Sequence, residues 1–357
     1  MLIIAPEIDR NTGVFSFIKS RENKAQISPP KIFQASPGQY IHDFSAYYEV
    51  NFGMRDVYFF LYSNFKYFLL HSSPLPEKLV IGEEGWFFLG NSYSDIIAKA
   101  MDKVPPSPEM LERISGLIKS RYEQSQKNDI DYLVCIAPDK HTVYFNYLPD
   151  WCRPAHHSTR TSYISGYLGQ KSGVDVIDLK DKILLYKDSI RLYHKLNSHW
   201  NGLGAYWGYY ELITGLKKHY PEINPIELSD VTLDTTYTYH EDLINMINLP
   251  LAECRIGARR ASGFKAVKTD QESDSVQYDP DNRKSKGVRY KNPDAELDIK
   301  VLVFRDSFLT AMIPWISEHF KESVYIFSSY DEKRILEEKP DLVIEEVVER
   351  NFEERFK

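Results

Sequence analysis

Short apolar runs alternate with amphipathic stretches most clearly toward the C-terminus. Lys300-Val-Leu-Val-Phe304 predicts a strand, and Phe308, Ala311, Met312, Trp315, Ile316 and Phe320 then fall on one face of a predicted helix. Pro314 lies inside that stretch and should kink the helix or set its first turn. Val324-Tyr-Ile-Phe327 predicts the next strand, a helix follows from Asp331, and Leu342-Val-Ile344 predicts another strand. Strand–helix–strand alternation of this kind implies right-handed crossovers and a mainly parallel sheet with helices on both faces, a three-layer α/β/α sandwich.

Upstream segments extend the pattern. Asp131-Tyr-Leu-Val-Cys-Ile-Ala-Pro138 has the continuous apolar character of a strand buried on both faces. Val174–Leu179 is a second such candidate, preceded by a helix-like stretch from Ser158 to Gln170. Ser107–Asn128 and Asn201–Tyr220 read as amphipathic helices, and Leu79–Ile81 with Gly82–Phe88 as a hairpin between two short strands. Asp43–Leu70 is helix-like and ends at Pro74 and Pro76; its apolar part, Val57–Leu70, is broken by Asn64 and Lys66 and reads as a core helix, not a membrane span. Ser262–Lys300 turns polar and predicts a long irregular, solvated insertion. The pattern predicts an N-terminal helical segment, residues 1–75, packing on a larger α/β domain, residues 76–357, with the polar insertion around 262–298. No internal repeat is visible.

Composition changes this picture little. The 357 residues are 43% hydrophobic and 27% charged, which suits a soluble domain with a real core. The formal charge of −7 argues against a nucleic-acid partner, because phosphates call for a basic surface. Aromatics reach 14%, suited to burial or to sugar stacking, with burial favoured because most sit in periodic apolar segments. Cys135, Cys152 and Cys254 fit no metal spacing; they allow one disulfide and leave the compartment open. Met1–Pro6 is apolar but too short to span a bilayer, and reads either as the stump of an anchor or signal sequence or as a buried strand.

The candidate chemistry begins at Arg305-Asp306-Ser307-Phe308, where the predicted strand gives way to the predicted helix. A serine there emerges at the carboxyl edge of the sheet, the usual place for active sites in open α/β folds, beside free helix N-terminal amides that suit an oxyanion. The competing reading makes Ser307, or Asp306, a helix N-cap. A serine nucleophile needs a base, and the base needs an orienting group. In Leu196-Asn-Ser-His-Trp-Asn201, His199 can take the proton of Ser307 while Asn197 holds the ring. The competing reading is a surface histidine, and His141, His156, His157 and His194 are equally available by type.

Val303-Phe-Arg-Asp-Ser-Phe308 and Asn197-Ser-His-Trp-Asn201 resemble the two motifs of the alginate O-acetyltransferase (AlgJ/AlgX-like, DHHW) branch of the SGNH hydrolases, a Gly-Asp-Ser-Phe block and an Asp-Thr-His-Trp block, in the family order with the Asp/His block first. Asn51–Arg55, Ile81–Phe87, Pro138–Tyr144, Tyr147–Pro149, Asp242–Met246 and Lys339–Arg350 also look like family segments, so the likeness runs from about residue 40 to residue 350. Two positions depart from it. Asn197 stands where the family has its acidic triad member, and Arg305 replaces the glycine of the nucleophile block. The first suggests a slow natural variant, an inactivating substitution, or another carboxylate in the role, Asp188 and Asp306 being nearest in sequence. The second places bulk and charge beside the oxyanion hole, with Arg305 and Asp306 as supporting residues and the Ser307 amide retained.

The resemblance implies acetyl transfer to an exported polysaccharide through an acetyl-Ser307 intermediate, with no metal and no cofactor. It also implies an extracytoplasmic or periplasmic, membrane-proximal setting, an anchor outside this chain as one option, and an acetyl donor reached through a membrane-bound O-acyltransferase partner. AlgX-like members carry a carbohydrate-binding module after the catalytic domain; the chain ends before one, which favours the AlgJ type. An acetyl esterase is the second expectation. The third is an inactive glycan-binding or scaffolding member of an export complex, which Asn197 and Arg305 favour. On this view Asn197→Asp would raise turnover if Asn197 orients His199.

Overall fold

The computed structural model describes residue 9 and residues 27–31, 36–156, 160–269 and 287–357. Its centre is a sheet of order β4-β3-β11-β9-β10-β8-β7. The strands are β3 (Asp131–Ala137), β4 (Val176–Asp178), β7 (Val267–Lys268), β8 (Val288–Lys291), β9 (Leu297–Phe304), β10 (Phe320–Ile326) and β11 (Leu342–Val348). From β4 to β10 all neighbours are parallel; β8 and β7 add an antiparallel edge.

Alternation along the central strands builds two cores. Leu133, Cys135, Val301, Val303 and Ile344 face the helix Gly202–Leu216. Tyr132, Val134, Leu302, Phe304, Val343 and Val347 face the opposite side, where Pro108–Gln126 and Arg160–Ser172 pack through Leu111, Ile114, Ile118, Ile164 and Leu168. This is the expected three-layer sandwich. The helix opposite, Gly202–Leu216, is apolar on every side (ten of its residues are buried), as a helix sunk between sheet and outer loops must be.

Ser262–Lys300 differs from the expectation of an irregular insertion. Its ends form β7, β8 and the start of β9, while residues 270–286 lie outside the described residues. These edge strands are half-exposed, so their sequences lack the apolar continuity that revealed β3 and β9. The stretch after Ser307 also differs: instead of one helix it forms a 3₁₀ turn, Phe308–Met312, and a short α-helix, Ile313–Ser317, with Pro314 in the first turn of the second piece. Before the sheet, β1 (Leu79–Ile81) and β2 (Phe87–Leu89) pair as the predicted hairpin.

The N-terminal helical stretch splits into Pro37–Asn51 and Arg55–Asn64, followed by a π turn, Phe65–Leu69. It is not the core helix that Val57–Leu70 suggested: Leu61, Phe65, Phe68, Leu69 and Leu70 are exposed. Tyr67 does reach the body, meeting Phe87 at 5.6 Å. Among the described residues no helix is long and apolar enough to cross a membrane. Met1–Pro6 lies outside the described residues. All three cysteines are free thiols.

A third sheet, two-stranded, was not foreseen. β5 (Val231–Thr238) and β6 (Glu253–Arg260) pair antiparallel, with the short helix Asp242–Ile247 between them in sequence. This excursion brings Glu241, Asp242, Glu253 and Arg255 to the turn that precedes Gly202–Leu216.

Close packing positions that turn. A Cβ on Gly204 would come within 3.0 Å of Leu192 O and the Trp200 Cβ, whereas one on Gly166 meets nothing within 4 Å. Gly204→Ala should therefore destabilise the fold by about 1–3 kcal/mol through overpacking, read as a lower urea midpoint at unchanged slope. Gly166→Ala, in an open helical position, should be neutral or stabilising because alanine is the better helix former.

Candidate active site

The Asn197–Asn201 segment assigns a separate contact to each side chain. Asn201 caps Gly202–Leu216, its Oδ1 accepting from Leu203 N at 3.0 Å and Gly204 N at 2.9 Å. Trp200 Nε1 donates to Phe308 O at 2.9 Å, tying this segment to the one that carries Ser307. Between these two anchors, His199 Nε2 lies 2.7 Å from Ser307 Oγ. The two candidates, 108 residues apart in sequence, meet at the carboxyl edge of the sheet.

Ser307 is half-exposed at the end of β9. Its side chain does not cap the following turn. That task belongs to Asp306, whose carboxylate accepts from Phe308 N at 2.8 Å and Val348 N at 2.7 Å. The capping alternative thus falls to the neighbour and leaves the Ser307 hydroxyl to His199. Asp306 N donates to the buried Glu346 at 2.9 Å. Burial, with Asp306 close by, holds the Glu346 carboxyl well above the usual carboxylate range. With the amides of 306 and 308 occupied, the Ser307 N–H is the one of the three with no acceptor among the described residues, so it is available to an oxyanion. A five-residue 3₁₀ turn stands here in place of the expected longer helix, so donation by individual amides matters more than a helix dipole.

Arg305 is buried and borders the same cleft as Ser307: its Nη1 donates to Thr310 Oγ1 at 2.9 Å and to Asp306 O at 3.1 Å, and the group stacks over Phe327 at 4.9 Å. Its bulk is thereby held by Thr310, Asp306 and Phe327. A cleft of about 360 Å³ opens on Ser307, lined by Phe327, Ser329, Asn351, Glu354 and Arg355 among others.

On its other side, His199 Nδ1 faces Asn197 Oδ1 at 2.8 Å and Ser198 Oγ at 3.2 Å. Asn197 Oδ1 also accepts from His199 N at 2.9 Å, which fixes that end of the amide as the oxygen. Nδ1 must then carry the proton, and Nε2 is left as the acceptor facing Ser307. This is the tautomer a general base requires. Asp242 is the nearest carboxylate, 3.7 Å from Nδ1, and it also receives Ser198 N at 2.9 Å and the Ser198 hydroxyl.

The two carboxylates nearest in sequence are thereby set aside. Asp188 is exposed and pairs with Lys187, and Asp306 is committed to backbone amides. Asp242 escaped sequence reasoning because it lies in a separate excursion; its only signal was membership of the segment Asp242–Met246.

Two buried cations complete the surroundings. Lys140 Nζ donates to the carbonyls of His194, Lys195 and Asn197 at 3.0, 3.2 and 2.7 Å, beside the faces of Trp86 and Phe88. It staples the turn leading into His199, and desolvation pushes its pKa down to about 7. Arg350, paired with Asp139, stacks over Phe308 at 5.2 Å. Burial lowers the His199 pKa below its ordinary value; Asp242 and Asp306 pull it up, Arg350 and Lys140 push it down. Of the remaining histidines, His141 is buried against Leu89 O, His194 is depressed to about 3 by burial, and neither meets Ser307. No group of three or more His, Cys, Asp or Glu side chains that could hold a metal occurs among the described residues.

The chain has relatives. Residues 79–282, more than half of the chain, match the family described as "SGNH hydrolase-like domain, acetyltransferase AlgX". The probable alginate O-acetylase AlgJ of Pseudomonas aeruginosa is 24% identical over 170 residues, 47% of this chain and 40% of that protein, so the chain spans well under half the length of this curated relative. PatB1 of Bacillus cereus superposes with a TM-score of 0.57 at 15% identity, covering 78% of this chain and 98% of PatB1. A second PatB1 structure, bearing a sulfonyl adduct, gives 0.56 at 17% identity, covering 78% and 99%. A DHHW family protein from Eubacterium siraeum gives 0.50 at 16%, covering 68% and 88%. At these identities the structures share the fold. By its sequence match, this chain belongs to the SGNH hydrolase-like, AlgX-type acetyltransferase domain family.

Proposed function

We propose that the protein is a serine-dependent O-acetyltransferase that moves an acetyl group from an ester donor to a polysaccharide hydroxyl. The observation that carries this reading is the 2.7 Å approach of His199 Nε2 to Ser307 Oγ beside an open cleft. In the first step Ser307 Oγ attacks the acetyl carbonyl carbon, His199 Nε2 takes the hydroxyl proton, and the donor leaves as an alcohol carrying that proton. In the second step a sugar hydroxyl attacks the seryl ester, gives its proton to His199, and Ser307 is released with its proton restored. The Ser307 amide faces the developing oxyanion in both steps, and Asn197 and Asp242 support the transient imidazolium. Water in place of the sugar would make the protein an esterase.

The family and the AlgJ likeness support a polysaccharide acceptor; the proposal adds an extracytoplasmic, membrane-proximal setting and donor groups delivered by a membrane-bound O-acyltransferase. Two contacts favour the enzyme over the inactive-scaffold reading: Arg305 is held by Thr310, and Asn197 presents an acceptor to His199 Nδ1.

Incubation with an activated acetyl ester and glycan oligomers should yield acetylated sugar by mass spectrometry; free acetate alone would identify an esterase, and neither product an inactive member. Ser307→Ala should abolish both acyl-enzyme and product while the unfolding midpoint stays in place. His199→Ala should slow acylation by about 10²–10⁴-fold, the usual contribution of a general base. A sulfonyl reagent should label Ser307 and no other serine, and labelling that survives Ser307→Ala would contradict the assignment.

The depressed His199 pKa sets the pH dependence. A base works only when neutral, and lowering its pKa extends the neutral form toward acid. The acid limb of kcat/KM for acylation should therefore fall below pH ~6.5, the value for a free imidazole. Asp242→Asn should move the limb further down, because it removes the carboxylate that favours the imidazolium; an upward move would contradict the charge assignment.

A further inference from the structure

Asn197 faces two ways. Its oxygen serves His199, and its Nδ2 donates to Glu241 Oε2 at 2.5 Å. Glu241 is buried, and its carboxylate is gripped from the far side by Arg255, with Nη2 2.9 Å from Oε2 and Nε on the other oxygen. Glu241 thus accepts from an amide on one side and a guanidinium on the other. It has no use for a second carboxylate. An aspartate at 197 would lose the donating Nδ2 and set one of its oxygens against Glu241 Oε2, where two carboxylates can stay only by sharing a proton or moving apart. Either outcome weakens what the family's aspartate provides, a charge held against Nδ1.

We infer that Glu241 is a positioning residue that acts through Asn197: together with the His199 N–H it holds the amide with its oxygen toward the ring, so supports the Nδ1–H tautomer, and makes asparagine the residue that fits position 197. The inference rests on the reading of Ser307 and His199 given above. It reverses the expectation that Asn197→Asp by itself raises turnover. The departure from the family at 197 is matched by a charge supplied one residue further out, alongside that of Asp242.

An exchange of the pair tests this. In Asn197→Asp/Glu241→Gln the glutamine amide can donate to the new aspartate, and the carboxylate moves next to Nδ1. The readout is the NMR titration and tautomer of the His199 imidazole in each folded variant, followed by the acylation rate with an activated acetyl ester. Asn197→Asp should lose about tenfold or more in rate, and Glu241→Gln a smaller factor, because the His199 N–H and the glutamine oxygen still hold the amide while the charge behind it is gone. The double variant should recover the rate and raise the His199 pKa by about one unit or more, since a full charge now adjoins the ring. The pKa should rise little in Asn197→Asp alone, where Glu241 competes for the proton.

If Asn197→Asp alone matches or exceeds the native rate, or the double variant is no better than the worse single one, the inference is overturned. Should either single variant fail to fold, recovery of both folding and tautomer in the double variant still supports the pairing, and failure of the folded double variant to hold the Nδ1–H tautomer sinks it. The titration needs no acetyl transfer, so a wrong proposed function would show as normal titrations with no acylation in any variant.

Discussion

The short contact between His199 and Ser307 is what the surrounding structure is built to hold. Neither residue is placed by its own segment alone. Ser307 is fixed by the end of β9 and by Asp306, which spans Phe308 N and Val348 N and so ties the nucleophile turn to β11. His199 is fixed by the cap of Gly202–Leu216 and by Lys140, whose ammonium gathers three carbonyls of the preceding turn. Trp200 then closes the gap, binding Phe308 O while Gly208 of the following helix leaves room for the indole, which a Cβ there would meet at about 3 Å. Loss of any one tie leaves both residues present and the contact open, and catalytic geometry tolerates little such loosening.

Charge is distributed around that contact in layers. Asparagine 197 puts a neutral acceptor directly on the ring. The formal charges stand farther back: Asp242 at 3.7 Å, Glu241 behind the amide, and Asp139 with Arg350 behind Phe308. Burial of the imidazole favours its neutral, base-ready form, and the outer carboxylates limit the cost of charging it during the reaction. In the proposed reaction the cleft beside Ser307 receives the acyl donor and acceptor, and Arg305, stacked on Phe327, forms part of its lining.

Much of this was legible in the sequence because burial on both faces writes itself as unbroken apolar runs. Lys300–Phe304 and Asp131–Ala137 announced β9 and β3, and the motif blocks after β9 and before Gly202–Leu216 pointed to Ser307, and to His199 and Asn197. What the sequence hid was hidden for physical reasons. The edge strands β7 and β8 are half-solvated and polar, so they resembled an insertion. The aromatic N-terminal stretch carries apolar residues around the whole helix, which mimics a core element although many of them face solvent. Pro314 and close packing shortened the helix after Ser307. Asp242 and Glu241 arrive from the β5–β6 excursion, and no local spacing rule connects them to His199.

Pre-steady-state kinetics with a chromogenic acetyl ester test the central claim most directly, because an acyl-enzyme formed on one hydroxyl must release its first alcohol faster than it turns over. The expected trace is a burst of about one equivalent of alcohol per protein, followed by a slower phase that added glycan accelerates without changing the burst amplitude. A single linear phase from the first turnover, unmoved by glycan and unaltered when Ser307 is replaced by alanine, would contradict the account.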